Sequence, residues 1–152
     1  MLKNKFVILF VFIVVFLLVI IVLSNFTYKS TVVVGGKTFN VEVVETSYFL
    51  EKGLSGHEQL KSNEGMFFVF EKPDKYGFWM KNMSFPIDIV WFTPDLKINH
   101  IEKSVSPNTY PNVFVPETDS LYVLEISAGQ SAELNLKIGD SAKFLRKASK
   151  NL

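Results

Sequence analysis

Lys81, Asn82, Asp88 and Glu125 are polar side chains set in strongly apolar sequence. Lys81 and Asn82 follow Phe78-Trp79-Met80, Asp88 lies within Ile87–Phe92, and Glu125 interrupts Leu121–Ile126. Alternate residues of a strand share a face, so Asp88 is expected beside Val90 and Phe92. A carboxylate on an apolar face must be paired or hydrogen-bonded, because burying it alone costs several kcal/mol or shifts its pKa. Lys81 is the natural partner for either acid, and the three are expected to meet in the folded domain. Two readings follow. The group is either a buried polar network that fixes strand register, or a cleft in which Lys81, Asn82 and a carboxylate contact a ligand. General acid–base chemistry by Asp88 and Glu125 is a special case of the second. Phe78, Trp79, Phe85 and Trp91 surround the same block, as core or as a platform for a sugar or apolar ligand, with Trp79 the candidate contact. Met66 and Met80 read as core filler.

Other chemistries lack their residues. The chain has no Cys, which removes disulfides, thiol catalysis and thiolate metal sites. His57 and His100 are far apart in sequence, and a catalytic zinc needs three protein ligands, so no metal is expected. Ser55 lies in Gly53-Leu54-Ser55-Gly56-His57, which lacks the second glycine of a nucleophile elbow. There is no phosphate loop, dinucleotide fingerprint or calcium loop, so no cofactor is expected. The net charge is +1, and Lys3 and Lys5 supply two of the positive charges, so the remainder is nearly neutral. Such a balance gives no field for nucleic acid.

The elements that must position these residues are mostly short strands. Ser30–Val34, Gly35-Gly36 and Lys37–Val44 read as a β-hairpin, because Gly-Gly suits the positive φ of a two-residue turn. Tyr48–Leu54 suits a short helix limited by Gly53 and Gly56. Strands are predicted at Gly65–Phe70, Phe78–Met80, Ile87–Phe92, Lys97–Ser104, Leu121–Ile126 and Ser141–Leu145. Val105–Ser120 is broken by Pro107, Pro111 and Pro116 and reads as a long loop, and Ala128–Leu136 can hold a helical turn or two. The pattern predicts a small β-sandwich or barrel-like domain, mostly β with one or two short helices, over residues 30–146. Residues 147–152 form a polar tail.

Phe6 through Leu23 is an unbroken apolar run of 18 residues. At 1.5 Å per residue a helix of that length covers roughly 27 Å, close to the ~30 Å hydrocarbon core of a bilayer. Lys3 and Lys5 precede the run, so the positive-inside rule puts residues 1–5 in the cytoplasm and the domain outside, with residues 24–29 as a juxtamembrane linker. The protein is thus expected in the cell membrane as a single-pass signal anchor. The alternative is a signal peptide cleaved near Ser24, which would release the domain.

The residues also carry a family likeness. Gly65-Met66-Phe67-Phe68-Val69-Phe70, Phe78-Trp79-Met80-Lys81-Asn82-Met83, Pro86-Ile87-Asp88-Ile89, Tyr122-Val123-Leu124-Glu125 with Ala128-Gly129, and Gly139-Asp140 occur in that order. Together with Lys52-Gly53-Leu54, which is similar to an Arg-Gly-Leu-Met segment, the string resembles the family called domain of unknown function 192, over roughly residues 38–145. The resemblance implies a small mostly-β fold, often behind an export signal or anchor, and no established activity. Ser55 stands where that family usually has Met, His57 where it has Arg, and Met83 where it has Thr.

The sequence therefore points to a membrane-anchored, extracytoplasmic binding or interaction module for a small ligand or an envelope protein. Its rival is an envelope-associated hydrolase using the carboxylate/lysine cluster.

Overall fold

The structure is a computed structural model that describes residues 12–16, 30–46 and 52–147. Most of the expected anchor at 6–23, the linker at 24–29, most of the helix expected at 48–54 and most of the tail lie outside the described residues. Residues 12–16 are helical with exposed apolar side chains. No helix among the described residues is long and apolar enough to cross a membrane.

The domain is built on one mixed seven-stranded sheet. Its strands are β1 (Ser30–Val34), β2 (Lys37–Val44), β3 (Glu64–Asp74), β5 (Ile87–Phe92), β6 (Ile98–Val105), β8 (Ser120–Ser127) and β9 (Lys143–Leu145). Their spatial order is β6-β5-β8-β3-β2-β1-β9. The β1–β2 hairpin turns at Gly35 and Gly36, with φ of 58° and 77°, the positive values that a primed two-residue turn demands. Only β2 and β3 run parallel among the described pairs, so the chain must cross over between them. β4 (Phe78–Trp79) and β7 (Val113–Phe114) form a separate two-stranded ribbon. A 3₁₀ turn at Pro107–Thr109 and the short α1 (Gln130–Glu133) complete the described elements.

This corrects the sandwich alternative, since the ribbon is too small to be a second layer of comparable size. The large sheet instead curls until its ends touch. Lys97 bridges Ser141, the Ile98 N–H donates to the Asp140 carbonyl at 2.9 Å, and the Ala142 N–H donates to the Leu96 carbonyl at 2.8 Å. The closed side holds an inner core that includes Phe39, Phe67, Val90, Phe92, Leu124 and Ile126. The outer face carries a second core with Met66, Phe68, Phe78, Met80, Ile89 and Trp91. Both faces of the central strands are thus covered, and all six residues of β5 are buried. That is why Ile87–Phe92 reads as a continuous apolar run rather than an alternation.

β7 is the one strand that the sequence pattern hides. Its two residues lie between Pro111 and Pro116, and pairing with Phe78 and Trp79 holds them extended.

Candidate functional site

The pleat of β8 decides where its acid points. Leu124 pairs with Phe67 and Val90 and faces the inner core. Glu125, one residue on, pairs with Met66 and Ile89 and faces the outer layer. There it lines a cleft of ≈180 Å³ between the sheet, the β4–β7 ribbon and the segment from Lys52 to Ser55. The wall is aromatic. Phe68 and Phe70 share a face of β3 because they are two residues apart. Phe78 meets Phe68 edge-to-face with ring centroids 4.9 Å apart, and Tyr76 stacks flat on Phe70. Trp79 lines the outer part and is 39% exposed. The Trp91 indole N–H donates to the Tyr76 carbonyl at 3.0 Å and so fixes this wall to β5.

Glu125 is 4% exposed, and among the described residues no hydrogen-bond donor reaches its buried Oε2. Burial without a partner disfavours the charged form and pushes its pKa up to about 8. The side chain is therefore a carboxylic acid at neutral pH. The backbone opposite it is bare at Gly53, where φ is +50° and a Cβ would stand 3.8 Å from Oε2 and 3.5 Å from Phe68 Cζ. A larger side chain there would narrow the cleft.

The turn after β4 forms the rim. Lys81 is exposed, with Nζ 5.2 Å from the centre of the Trp79 ring. Asn82 has φ of 55°, a left-handed conformation that Asn tolerates better than most residues. Its carbonyl accepts from the Gly56 N–H at 3.1 Å, the Lys81 carbonyl accepts from Ser55 Oγ at 2.7 Å, and the His57 carbonyl accepts from Ser84 Oγ at 3.0 Å. Asn82 thus acts through the backbone, stitching the turn to the 52–57 segment. Ser55 and Met83, two of the residues that depart from the family pattern, both line the cleft. His57, the third, lines a neighbouring hollow, and its Nδ1 is buried without a partner among the described residues.

Asp88 lies elsewhere. It pairs with Ile126 on β8, so it points to the inner face, opposite to Glu125. Its carboxylate accepts from the Ser104 N–H at 2.7 Å, the Gly129 N–H at 3.1 Å, the Ser131 N–H at 2.7 Å and Ser131 Oγ at 2.7 Å. Gly129 is the N-cap of α1 and offers no capping side chain of its own. Asp88 supplies that cap from β5, holding the helix start and β6 together.

The expected meeting of Lys81, Asp88 and Glu125 is therefore corrected. The two acids occupy opposite faces of one sheet, and no ion pair among the described residues joins Lys81 to either. A hydrolase built on that cluster loses its constellation. Of the expected site residues, the structure brings Trp79 and Glu125 to one cleft and sets Lys81 and Asn82 at its rim. Trp91 is fully buried core, as are Phe78 and Phe85 nearly so. Sequence reasoning missed Phe68, Phe70, Tyr76 and Gly53. The spacing of Phe68 and Phe70 was a usable signal, since both share the parity of Met66 opposite Glu125. Among the described residues no group of three or more His, Asp or Glu is placed to hold a metal ion.

The sequence profile of domain of unknown function 192, described as "Uncharacterized ACR", matches residues 30–144. A crystal structure of a protein of unknown function from Novosphingobium aromaticivorans is 33% identical, with a TM-score of 0.70, over 75% of this chain and 82% of that one. A putative transcription regulator from Sinorhizobium meliloti is 26% identical, with a TM-score of 0.69, over 76% of this chain and 91% of that one. No curated protein matches the chain.

Proposed function

This chain belongs to the domain-of-unknown-function 192 family, and we propose that its domain is a binding module that takes a small ligand in the aromatic cleft over Glu125. The observation that carries this reading is Glu125 Oε2, buried without a hydrogen-bond partner among the described residues at the floor of a cleft with a bare glycine opposite. A buried polar atom without a partner costs stability, and a strongly perturbed acid in a cleft is a mark of a functional site. Binding fits better than hydrolysis. Glycoside hydrolysis by two acids needs a second carboxyl about 5–9.5 Å away across the same cleft. Among the described residues Glu125 is the acid of this lining, and Asp88 faces the other way. The Ser55 hydroxyl is already donating to a backbone carbonyl.

We further propose that residues 6–23 tether the module to the membrane with the domain outside the cytoplasm. The support is the length of the apolar run and the position of Lys3 and Lys5. A reporter fused after Leu152 should be active outside the cytoplasm, and a cytoplasmic reporter would overturn the tether's orientation. The binding reading is tested by a small-molecule thermal-shift screen of the full chain in detergent. Compounds that raise Tm should lose their effect in Glu125→Gln and weaken in Tyr76→Leu. Hits indifferent to both changes would place the binding surface elsewhere.

A further inference from the structure

Deepening that reading of the cleft, we infer that its ligand presents a methylated ammonium group, seated among the aromatic rings with its positive charge against Glu125 Oε2. Phe68, Phe70, Tyr76, Phe78 and Trp79 give the wall five rings. A cation near aromatic rings is attracted by their quadrupoles, most strongly where water is excluded. The floor is a carboxyl group whose buried Oε2 has no hydrogen-bond partner among the described residues. A site that had only to hydrogen-bond a neutral ligand could use a hydroxyl or an amide, at less desolvation cost. A glutamate differs from those in that it can become negative when a cation arrives.

The degree of methylation follows from hydrogen-bond supply. A primary ammonium brings three N–H donors that must all find acceptors. Ser55 Oγ and Tyr76 OH, the two hydroxyls of the lining, donate to the Lys81 and Lys72 carbonyls and keep lone pairs that accept, but the five rings of the wall offer an N–H no such acceptor. A methylated nitrogen asks for charge and apolar contact, and the cleft has both. Lys52 on the rim and Lys81 over Trp79 repel a bare cation approaching the mouth. They favour a ligand whose ammonium enters first and whose anionic part stays outside. Phosphocholine has that arrangement and is the preferred probe.

Binding has a proton balance. The free site holds Glu125 as the acid. The ammonium keeps its charge, the carboxyl O–H bond breaks, and the proton passes to buffer as the ion pair forms. No covalent bond forms to the ligand and nothing is oxidised or reduced. With the acid at about 8, close to one proton per ligand is released at pH 7. Affinity should rise from pH 6 to pH 8 and level off above. The other titratable groups near the site among the described residues include Tyr76, Lys52, Lys81 and His57. Burial, reinforced by Asp74 and Glu71, pushes the Tyr76 phenol up from its already high value. Lys52 and Lys81 stand at the rim, and His57 lies on the far side of Leu54, in the neighbouring hollow.

The test is calorimetric titration of the full chain in detergent with phosphocholine, choline and 3,3-dimethylbutanol, a neutral isostere of choline. It is run at pH 7 in two buffers of different ionisation enthalpy. Phosphocholine should bind most tightly and release close to one proton, and the isostere should bind at least tenfold more weakly. Glu125→Gln should abolish proton release, and Tyr76→Leu, which keeps the acid, should weaken phosphocholine severalfold. Equal binding of the isostere with no proton release would overturn the ammonium assignment and leave the cleft a site for neutral ligands. If none of the three binds while library compounds do so in a Glu125-dependent way, the ammonium assignment again fails and the site stands. If no compound of any class depends on Glu125 or Tyr76, the binding reading fails with it.

Discussion

Asp88 and Glu125 sit on neighbouring strands of one sheet, and both are buried, yet the protein treats them in opposite ways. Around Asp88 every approach is occupied by a donor, from β6 and from the start of α1. Around Glu125 the approaches are aromatic carbon, a glycine and open cleft. The inner face resembles a finished interior in which polar atoms are satisfied. The outer face leaves one acid waiting for a partner that the described domain does not supply. A fold tolerates such a group at a cost of about 1–3 kcal/mol. That cost identifies the acid with the functional candidacy, although both looked alike in sequence.

The comparison breaks most readily at Asp88. Asp88→Ala would leave three backbone N–H groups and a hydroxyl without their acceptor. Leaving one buried donor without its acceptor typically costs about 1–3 kcal/mol, and four lose theirs together, so the loss should be about 3 kcal/mol or more. Urea melts should show a loss of that size, with phosphocholine binding by the surviving folded fraction unchanged. Asp88→Asn keeps the shape but turns an amide N–H toward backbone donors, so its loss should be smaller yet clear. A loss below about 1 kcal/mol for Asp88→Ala would mean that the two acids are not opposites after all.

Glu125 should respond with the opposite sign. Glu125→Leu replaces an unsatisfied acid with an apolar side chain of similar size and should raise stability by about 1–3 kcal/mol. The pH dependence is sharper. The acid's ordinary value is 4.5, and in the folded domain it stands at about 8. Below pH 4.5 the group is protonated in both states and does not discriminate. Between 4.5 and about 8 the unfolded chain releases the proton and the folded one keeps it. Stability is therefore lost as pH rises through that window, with a slope approaching about 1.4 kcal/mol per pH unit from this group. Glu125→Gln should remove that component, so the difference between wild type and variant should widen from pH 5 to pH 8 and then flatten. A constant difference would show that Glu125 is ionised in the folded domain.

Much of the scaffold was legible because it follows from local chemistry. The β1–β2 hairpin announces itself through Gly35-Gly36, and β5 through six consecutive buried positions. β7 was not legible, because its strand character comes from pairing with Phe78 and Trp79 rather than from its own residues. The candidate site was half legible. That Asp88 and Glu125 are buried acids can be read from their apolar surroundings. Which face each occupies depends on the register between β5 and β8, where Asp88 meets Ile126 and Ile89 meets Glu125. A shift of one residue would have put both on one face, and nothing local to either strand sets it. Three of the four donors to Asp88 come from the backbone of residues 104, 129 and 131, which no side-chain pattern can announce.

Lys81 gives the smallest effect and the finest test of the comparison. If the sheet separates the two acids as described, Lys81 is an exposed side chain whose clearest contact is the Trp79 ring at 5.2 Å. An exposed cation–π contact is worth about 0.5–1 kcal/mol, so Lys81→Ala should cost no more than that. Its turn should survive, because the hydrogen bond from Ser55 Oγ reaches the Lys81 carbonyl and not its side chain. Combined with Asp88→Ala, the two losses should add, since groups that share no partner do not couple. Combined with Glu125→Leu, the stability changes should likewise add, while the affinity for a zwitterion falls in both single variants. Coupling of more than about 0.5 kcal/mol with Asp88 would mean that Lys81 reaches the inner face. Coupling of that size with Glu125 would mean that the lysine folds into the cleft and serves as the acid's own partner, and the acid would then have no need of a ligand's charge.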